Sequence, residues 1–70
     1  MVLRLKEASR YDLEYMDILS DFTEGSTIIV DSVDKDGNRK YFTRKVKYSK
    51  RYNDLYFIYD DFVWLYSMFE

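Results

Sequence analysis

Hydrophobic and polar residues alternate through the middle of the chain in the pattern of two β-strands. STIIVDSV (26–33) and RKYFTRKVKYS (39–49) are rich in branched and aromatic residues and alternate between two faces. Between them, DKDGN offers Asp34 as an acceptor for the turn backbone and Gly37 for a left-handed position. This predicts a type I turn with a glycine bulge. In that register Val30 lies opposite Phe42, and Ile28 lies opposite Arg44.

The same alternation divides residues 39–51 between the two faces of the sheet. It predicts that Phe42, Val46 and Tyr48 point into the core. The opposite, solvent-facing side is then predicted to carry one tyrosine among four cations, namely Arg39, Tyr41, Lys45, Lys47 and Arg51.

A three-to-four spacing of apolar residues precedes this hairpin. SRYDLEYMDILSDF (9–22) places Tyr11, Tyr15 and Phe22, with Ile18 or Leu19, on one side of a helix. Ser9 followed by Asp12 resembles a capping box, and Gly25 is placed to end the segment. The pattern predicts an N-terminal helix.

The remaining segments complete the predicted fold. VLRL (2–5) permits a short strand, LYFIYD (55–60) predicts a third, and FVWLYSMF (62–69) favours a fourth. Asp60–Asp61 would form a two-residue hairpin turn, or alternatively cap a C-terminal helix. The prediction is a single α+β domain, residues 1–70, with one N-terminal helix packed on an antiparallel meander of about four strands.

The residue inventory excludes most enzyme chemistry. The chain of 70 residues has no cysteine and no histidine, which removes the usual nucleophile–base pairs and the usual zinc ligands. DSVDKDGN resembles part of a calcium loop, but its twelfth position would be Thr43 instead of a bidentate glutamate. We therefore predict no enzymatic activity, no cofactor and no metal site.

Composition also bears on location and origin. The N-terminus has no apolar segment of signal-peptide length, and FVWLYSMF is less than half of a membrane span. The absence of cysteine suits a reducing compartment, so we predict a cytoplasmic protein without a membrane partner. The short chain and its skewed composition are typical of phages and mobile elements.

Charge is segregated along the sequence. Residues 1–36 carry nine acids and four bases, residues 37–53 carry seven bases and no acid, and residues 54–70 carry four acids and no base. The basic segment has three interpretations: a solvated strand face, a docking surface for an acidic protein, or a nucleic-acid platform on which bases stack.

Arg44 fits the solvated interpretation poorly, because it shares the side of Phe42 and Val46, where an unpaired charge is costly. One prediction pairs it at the sheet edge with Asp31, Asp60 or Asp61. The alternative holds its guanidinium ready for a partner's carboxylate or phosphate.

Aromatic residues are concentrated at the C-terminus. Residues 52–69 contain eight of the fourteen, and strands 55–60 and 62–69 carry large apolar groups on both faces. Either the core is unusually large or some of these groups form an interface, with Trp64 and Tyr66 as candidate anchors.

These features together predict a small binding protein, encoded by a phage or mobile element. It would act as a stoichiometric inhibitor or regulator of a host macromolecule, such as a nucleic-acid-handling enzyme or defence nuclease. An acidic helix would meet a basic cleft through Asp12, Glu14, Asp17 and Asp21. Two alternatives stay open: a nucleic-acid-binding module using residues 39–51, and a structural homo-oligomer, for which a homodimer is the simplest form.

Overall fold

The computed structural model describes residues 2–6 and 15–70, which form two antiparallel sheets. The strands are β1 (Leu3–Arg4), β2 (Tyr15–Ile18), β3 (Thr27–Val33), β4 (Arg39–Lys45), β5 (Lys47–Ser49), β6 (Asp54–Tyr59) and β7 (Phe62–Leu65), followed by a 3₁₀ turn at Tyr66–Met68. The first sheet has the order β1-β2-β3-β4, and the second has the order β5-β6-β7.

The predicted N-terminal helix is wrong, and with it the α+β class. Tyr15–Ile18 is strand β2, which pairs with β1 on one side and β3 on the other. Met16 and Ile18 are buried, whereas Tyr15 is 58% exposed. The YMDI sequence therefore fits a period of two as well as a helical period, and pairing on both edges satisfies its backbone as a strand. Residues 9–14 of the predicted helix lie outside the described residues.

The hairpin of β3 and β4 is confirmed in its register. Val30 pairs with Phe42 and Ile28 pairs with Arg44. The Asp34 carboxylate accepts the backbone N–H groups of Asp36 and Asn38, both at 2.9 Å. Gly37 has φ of 84°, and its N–H donates to the Asp34 carbonyl at 3.0 Å. This is the arrangement that a type I turn with a glycine bulge requires.

Residues 39–49 form one bent strand that belongs to both sheets. Val46, at the bend, donates its N–H to the Ser26 carbonyl and accepts the Gly25 N–H, both at 2.9 Å. The chain then leaves the first sheet, and β5 pairs with β6. On the other side of the molecule, Arg4 and Glu70 exchange two backbone hydrogen bonds of 2.8 Å. The two sheets are thus linked at both sides around a common core.

The core is aromatic and aliphatic in comparable measure. Its buried residues are Met16, Ile18, Phe22, Ile28, Val30, Val46, Phe57, Trp64 and Phe69. The ring of Phe22 lies 5.8 Å from that of Phe57 and 6.0 Å from that of Phe69. The Trp64 indole N–H, which would be costly to bury unpaired, donates to the Tyr59 carbonyl at 3.1 Å.

The C-terminal segment is a strand, as predicted, but only as far as Leu65. Asp60 and Asp61 form the two-residue hairpin turn, with φ of 54° and 64°. Two successive positive φ values are those of a type I′ turn, whose twist matches that of the strands. Within residues 2–6 and 15–70, no helix is long or apolar enough to cross a bilayer.

Candidate binding surface

The outer side of the bent strand carries the predicted basic residues. Val46 is buried and Phe42 is partly buried, so strand alternation turns the odd-numbered positions outward. We call the outward set the basic row: Arg39, Tyr41, Lys45 and Lys47. All four are exposed, and Tyr41 is 59% exposed. The structure therefore places all four residues on the solvent side of the strand, three of them on the first sheet and Lys47 on the second.

One end of the basic row is partly neutralised. Arg39 Nε lies 3.3 Å from Asp31 Oδ1, and its guanidinium lies 5.9 Å from the centre of the Tyr41 ring. Asp31 Oδ1 is buried without a hydrogen-bond partner among the described residues, so the contact with Arg39 is an ion pair of poor hydrogen-bond geometry. The positive charges of Lys45 and Lys47 are therefore less neutralised than that of Arg39.

Arg51 extends the basic surface at the turn between β5 and β6. Its guanidinium lies 5.6 Å from the ring centre of Tyr52, which is 48% exposed. Tyr48, predicted to be in the core, is 46% exposed, and its hydroxyl donates to Asn53 Oδ1. That prediction was wrong because β5 is the edge of a narrow sheet, where an inward-pointing side chain still reaches solvent.

Arg44 is held by backbone carbonyls and not by a carboxylate as predicted. Its Nε donates to the Ile58 carbonyl at 3.1 Å, and its Nη1 donates to the Thr43 carbonyl at 2.7 Å. The guanidinium lies 4.8 Å from the Phe42 ring centre, and Phe42 stacks on Tyr59 at 4.2 Å. Among the described ion pairs, the partner of Asp31 is Arg39. Arg44 therefore links β4 to β6.

An apolar groove lies on the outer face of the second sheet. Phe57 is buried on the inner face, so its neighbours Tyr56 and Ile58 point outward. Ile58 pairs with Val63 of β7, and their exposed fractions are 49% and 37%. The apolar groove has a volume of about 170 Å³ and is lined by Ser49, Tyr52, Tyr56, Ile58 and Val63.

The two ends of the apolar groove carry opposite charge. Lys47 lies directly opposite Tyr56 in the strand register, and Arg51 contacts Tyr52. At the other end, the Asp60–Asp61 turn follows the Ile58–Val63 pair. Asp54, near the cationic end, is already engaged: its carboxylate accepts the backbone N–H groups of Leu55 and Ser67, at 2.8 and 3.0 Å.

The predicted acidic face is not assembled in the described part of the chain. Asp17 is half-buried on β2, between Arg4 and Asp31 in the strand register, and Asp21 is exposed beyond the end of β2. Asp12 and Glu14 lie outside the described residues.

The two predicted aromatic anchors are also placed differently from one another. Trp64 is only 3% exposed and belongs to the core, so it presents no surface to a partner. Tyr66 is 40% exposed, and its ring packs 5.2 Å from that of Phe22.

A larger concavity, of about 570 Å³, lies on the outer face of the first sheet. Three acids line it together with two bases, so that most of its charges compensate one another: Asp17, Asp31 and Glu70 with Arg4 and Arg39. Among the residues that the structure describes, no group of three or more carboxylates is placed to hold a metal ion.

Sequence reasoning missed the aliphatic half of the apolar groove, Ile58 and Val63. The signal was present, because two neighbouring strands with apolar residues on both faces must expose one of them. The apolar groove and its border are suited to binding another molecule, because they combine an exposed apolar surface, tyrosines and flanking cations. Comparison with protein-family models, with curated proteins and with solved structures gave no match to this chain.

Proposed function

We propose that this chain is a small non-enzymatic binding protein that acts stoichiometrically by docking on a host protein through the apolar groove and the two cations at its border, Lys47 and Arg51. The supporting observation is the pair Ile58 and Val63, aliphatic residues that lie opposite each other on β6 and β7 and are exposed on the outer face of the second sheet. Exposed apolar surface rimmed by polar groups is typical of protein-interaction sites. The predicted cytoplasmic location is part of the proposal, supported by the absence of cysteine.

The composition of this surface favours a protein partner. Interface centres are depleted in charge and enriched in tyrosine, and the charged groups lie at the rim. The groove follows this plan, with Tyr52 and Tyr56 beside the aliphatic pair and Lys47 and Arg51 at the border. Nucleic-acid interfaces are more polar and more positively charged, whereas this chain has a formal charge of −2.

The charge of the surface also defines the partner. The predicted mode, an acidic helix in a basic cleft, loses its support because residues 15–18 of that predicted helix form strand β2. The exposed cations Lys47 and Arg51 instead match an acidic surface. The proposal includes inhibition or regulation of a nucleic-acid-handling enzyme, on the condition that this enzyme presents an acidic surface near its active site.

The test compares two matched isoleucine variants in affinity capture from lysate of the encoding host. Ile58→Glu places a charge in the apolar groove. Ile29→Glu makes the same change on the outer face of the first sheet, where Ile29 is 46% exposed against 49% for Ile58. We expect a host protein that is captured by the wild type and by Ile29→Glu and is lost with Ile58→Glu.

Calorimetry with that protein should then give a fixed stoichiometry and, for Ile58→Glu, an affinity reduced by about tenfold or more, or about 1.4 kcal/mol. Circular dichroism of both variants controls for folding. Capture of the same proteins by all three chains, or of none by the wild type, would contradict the proposal.

Direct nucleic-acid binding is the second candidate, and the basic row is the observation that favours it. Cations and an exposed tyrosine at alternate positions of one strand can follow a phosphate backbone while a base stacks on the ring. The test is fluorescence anisotropy of labelled single- and double-stranded oligonucleotides at about 50 and about 200 mM salt.

Under this second candidate, binding at low salt would fall steeply at high salt and be lost in the double variant Lys45→Glu/Lys47→Glu. Lys35→Glu, at the tip of the β3–β4 hairpin, would keep most of it. Absence of binding at about 50 mM salt would remove nucleic acid as a partner.

A further inference from the structure

The geometry of the apolar groove points to a definite occupant. We infer that it seats one large apolar side chain from an extended, acidic segment of the partner protein, with the carboxylates of that segment lying at the Lys47–Arg51 end. This inference rests on the proposed function and names the chemistry that the partner must present. It follows from the volume of the groove, from its charge and from the area of the sheet face.

The volume fits a single side chain. The apolar groove holds about 170 Å³, and a cavity of about 150 Å³ in a protein core accommodates benzene. Pockets for drug-sized ligands run from about 300 to about 1,000 Å³. Its walls are tyrosine rings and two aliphatic side chains, so the matching group is one aromatic ring or one branched aliphatic side chain.

The charges around the groove give the bound segment a direction. Lys47 and Arg51 adjoin Tyr56 and Tyr52, whereas the Asp60–Asp61 turn lies at the other end. The only other carboxylate on this stretch of β6, that of Asp54, is engaged with two backbone N–H groups. A segment with acids on one side of its anchor is therefore favoured in one orientation and repelled in the other.

The size of the face disfavours a second copy of the chain as the occupant. The longest strand of the second sheet, Asp54–Tyr59, has six residues, and six residues extend about 20 Å. Three strands about 4.8 Å apart make the face about 14 Å wide, or about 280 Å². A stable interface needs about 800 Å² from each partner. The face is adequate for a segment but small for a dimer.

The experiment uses fluorescein-labelled hexapeptides and the intact chain. One peptide carries three glutamates on the amino-terminal side of a single phenylalanine, and a second carries them on its carboxyl-terminal side. Control peptides replace the phenylalanine by alanine, or the glutamates by lysines. We expect one of the two acidic orders to bind at least about tenfold more tightly than its alanine control.

Variants of the chain then locate the binding. Ile58→Glu should weaken the preferred peptide by about tenfold, and Ile29→Glu should change its affinity by less than about twofold. Lys47→Glu/Arg51→Glu should reverse the charge preference, so that the lysine peptide now binds better than the glutamate peptide. Such a reversal would not arise from a loss of folding.

Three outcomes overturn the inference: no preference for an anchor over alanine, equal loss in Ile58→Glu and Ile29→Glu, or a concentration-dependent mass in ultracentrifugation that Ile58→Glu abolishes. If a host protein is nevertheless captured in an Ile58-dependent manner, the inference about the segment fails while the proposed function stands. If no host protein is captured either, both fail.

Discussion

At the scale of single residues, Arg44 links two strands through its side chain, whereas elsewhere in the sheets backbone hydrogen bonds link neighbouring strands. Strand β5 pairs with β6 only as far as Tyr56, so Ile58 lies beyond it. The Arg44 guanidinium, on β4, donates to the Ile58 carbonyl of β6 and lies over the ring of Phe42. The sequence predicted that this arginine needed a partner, but it gave no means of seeing that the partner was a carbonyl.

Replacing Arg44 should therefore weaken the junction of the two sheets. We expect Arg44→Ala to lower the free energy of unfolding by about 1–2 kcal/mol, because it removes two hydrogen bonds from a charged donor at a partly exposed site. Lys45→Ala, at the neighbouring exposed position, should change it by less than about 0.5 kcal/mol. Urea denaturation followed by tryptophan fluorescence measures both, and equal midpoints for the two variants would contradict this role.

Asp34 gives the hairpin a dependence on pH. The pKa of the Asp34 carboxyl lies below the ordinary value of about 3.9, mainly because the carboxylate accepts the backbone N–H of Asn38. The side chain of Asn38, the N–H of Asp36 and the charge of Lys40 also lower this pKa. Because the folded pKa is the lower one, the stabilisation is present above the unfolded pKa and is lost as pH falls through the folded pKa.

We therefore expect the wild type to lose stability on acidification from about pH 5 to about pH 2. The loss should be smaller in Asp34→Asn, whose amide oxygen accepts the two backbone N–H groups without titrating. Thermal unfolding at a series of pH values is the measurement. Asp36→Asn is the control and should retain the Asp34 contribution, since Asp36 participates through its N–H. An unchanged acid profile in Asp34→Asn would refute the assignment.

At the scale of elements, local chemistry fixed the hairpins, whereas pairing partners decided the N-terminal segment. Asp34, Gly37 and the Asp60–Asp61 pair each have a local conformational reason to form a turn, and both hairpins formed as predicted. Residues 15–18 fit either a helix or a strand by spacing alone. What settles them is the presence of β1 and β3 on the two sides, which is information from distant parts of the sequence.

The sequence of the β6–β7 turn can be changed to one that stabilises the fold further. Asp60 and Asp61 both hold positive φ, which an L-residue adopts at some cost, and type I′ turns favour Asn-Gly. We expect Asp60→Asn/Asp61→Gly to stabilise the chain by about 0.5–1 kcal/mol. Calorimetric midpoints measure the change.

The matched control is Gly37→Ala, at φ of 84°. An added Cβ there meets nothing within 4 Å, so any loss of stability reports backbone strain alone. Gly37→Ala should change the free energy of unfolding in the opposite direction, with a destabilisation of about 1 kcal/mol. A lower midpoint in the Asn-Gly variant would show that the turn is not of this type.

At the scale of the whole molecule, the chain encloses its core by sharing one bent strand between two sheets and by pairing Arg4 of β1 with Glu70. The sequence indicated the basic row correctly as a set of outward positions, because alternation along a strand is local. It did not locate the apolar groove, because that surface depends on which faces of β6 and β7 the first sheet covers. Charge segregation in the sequence likewise became a surface with a cationic and an acidic end only through the fold.

Under the proposed function, the outer face of the second sheet, and not that of the first, contacts the partner. The most direct measurement is a two-dimensional NMR titration of the labelled chain with the captured host protein. We expect amide shift changes concentrated at five residues, with Ile29 and its neighbours unchanged: Lys47, Tyr52, Tyr56, Ile58 and Val63. Shift changes concentrated around Ile29, or around Asp17 and Asp31, would contradict it.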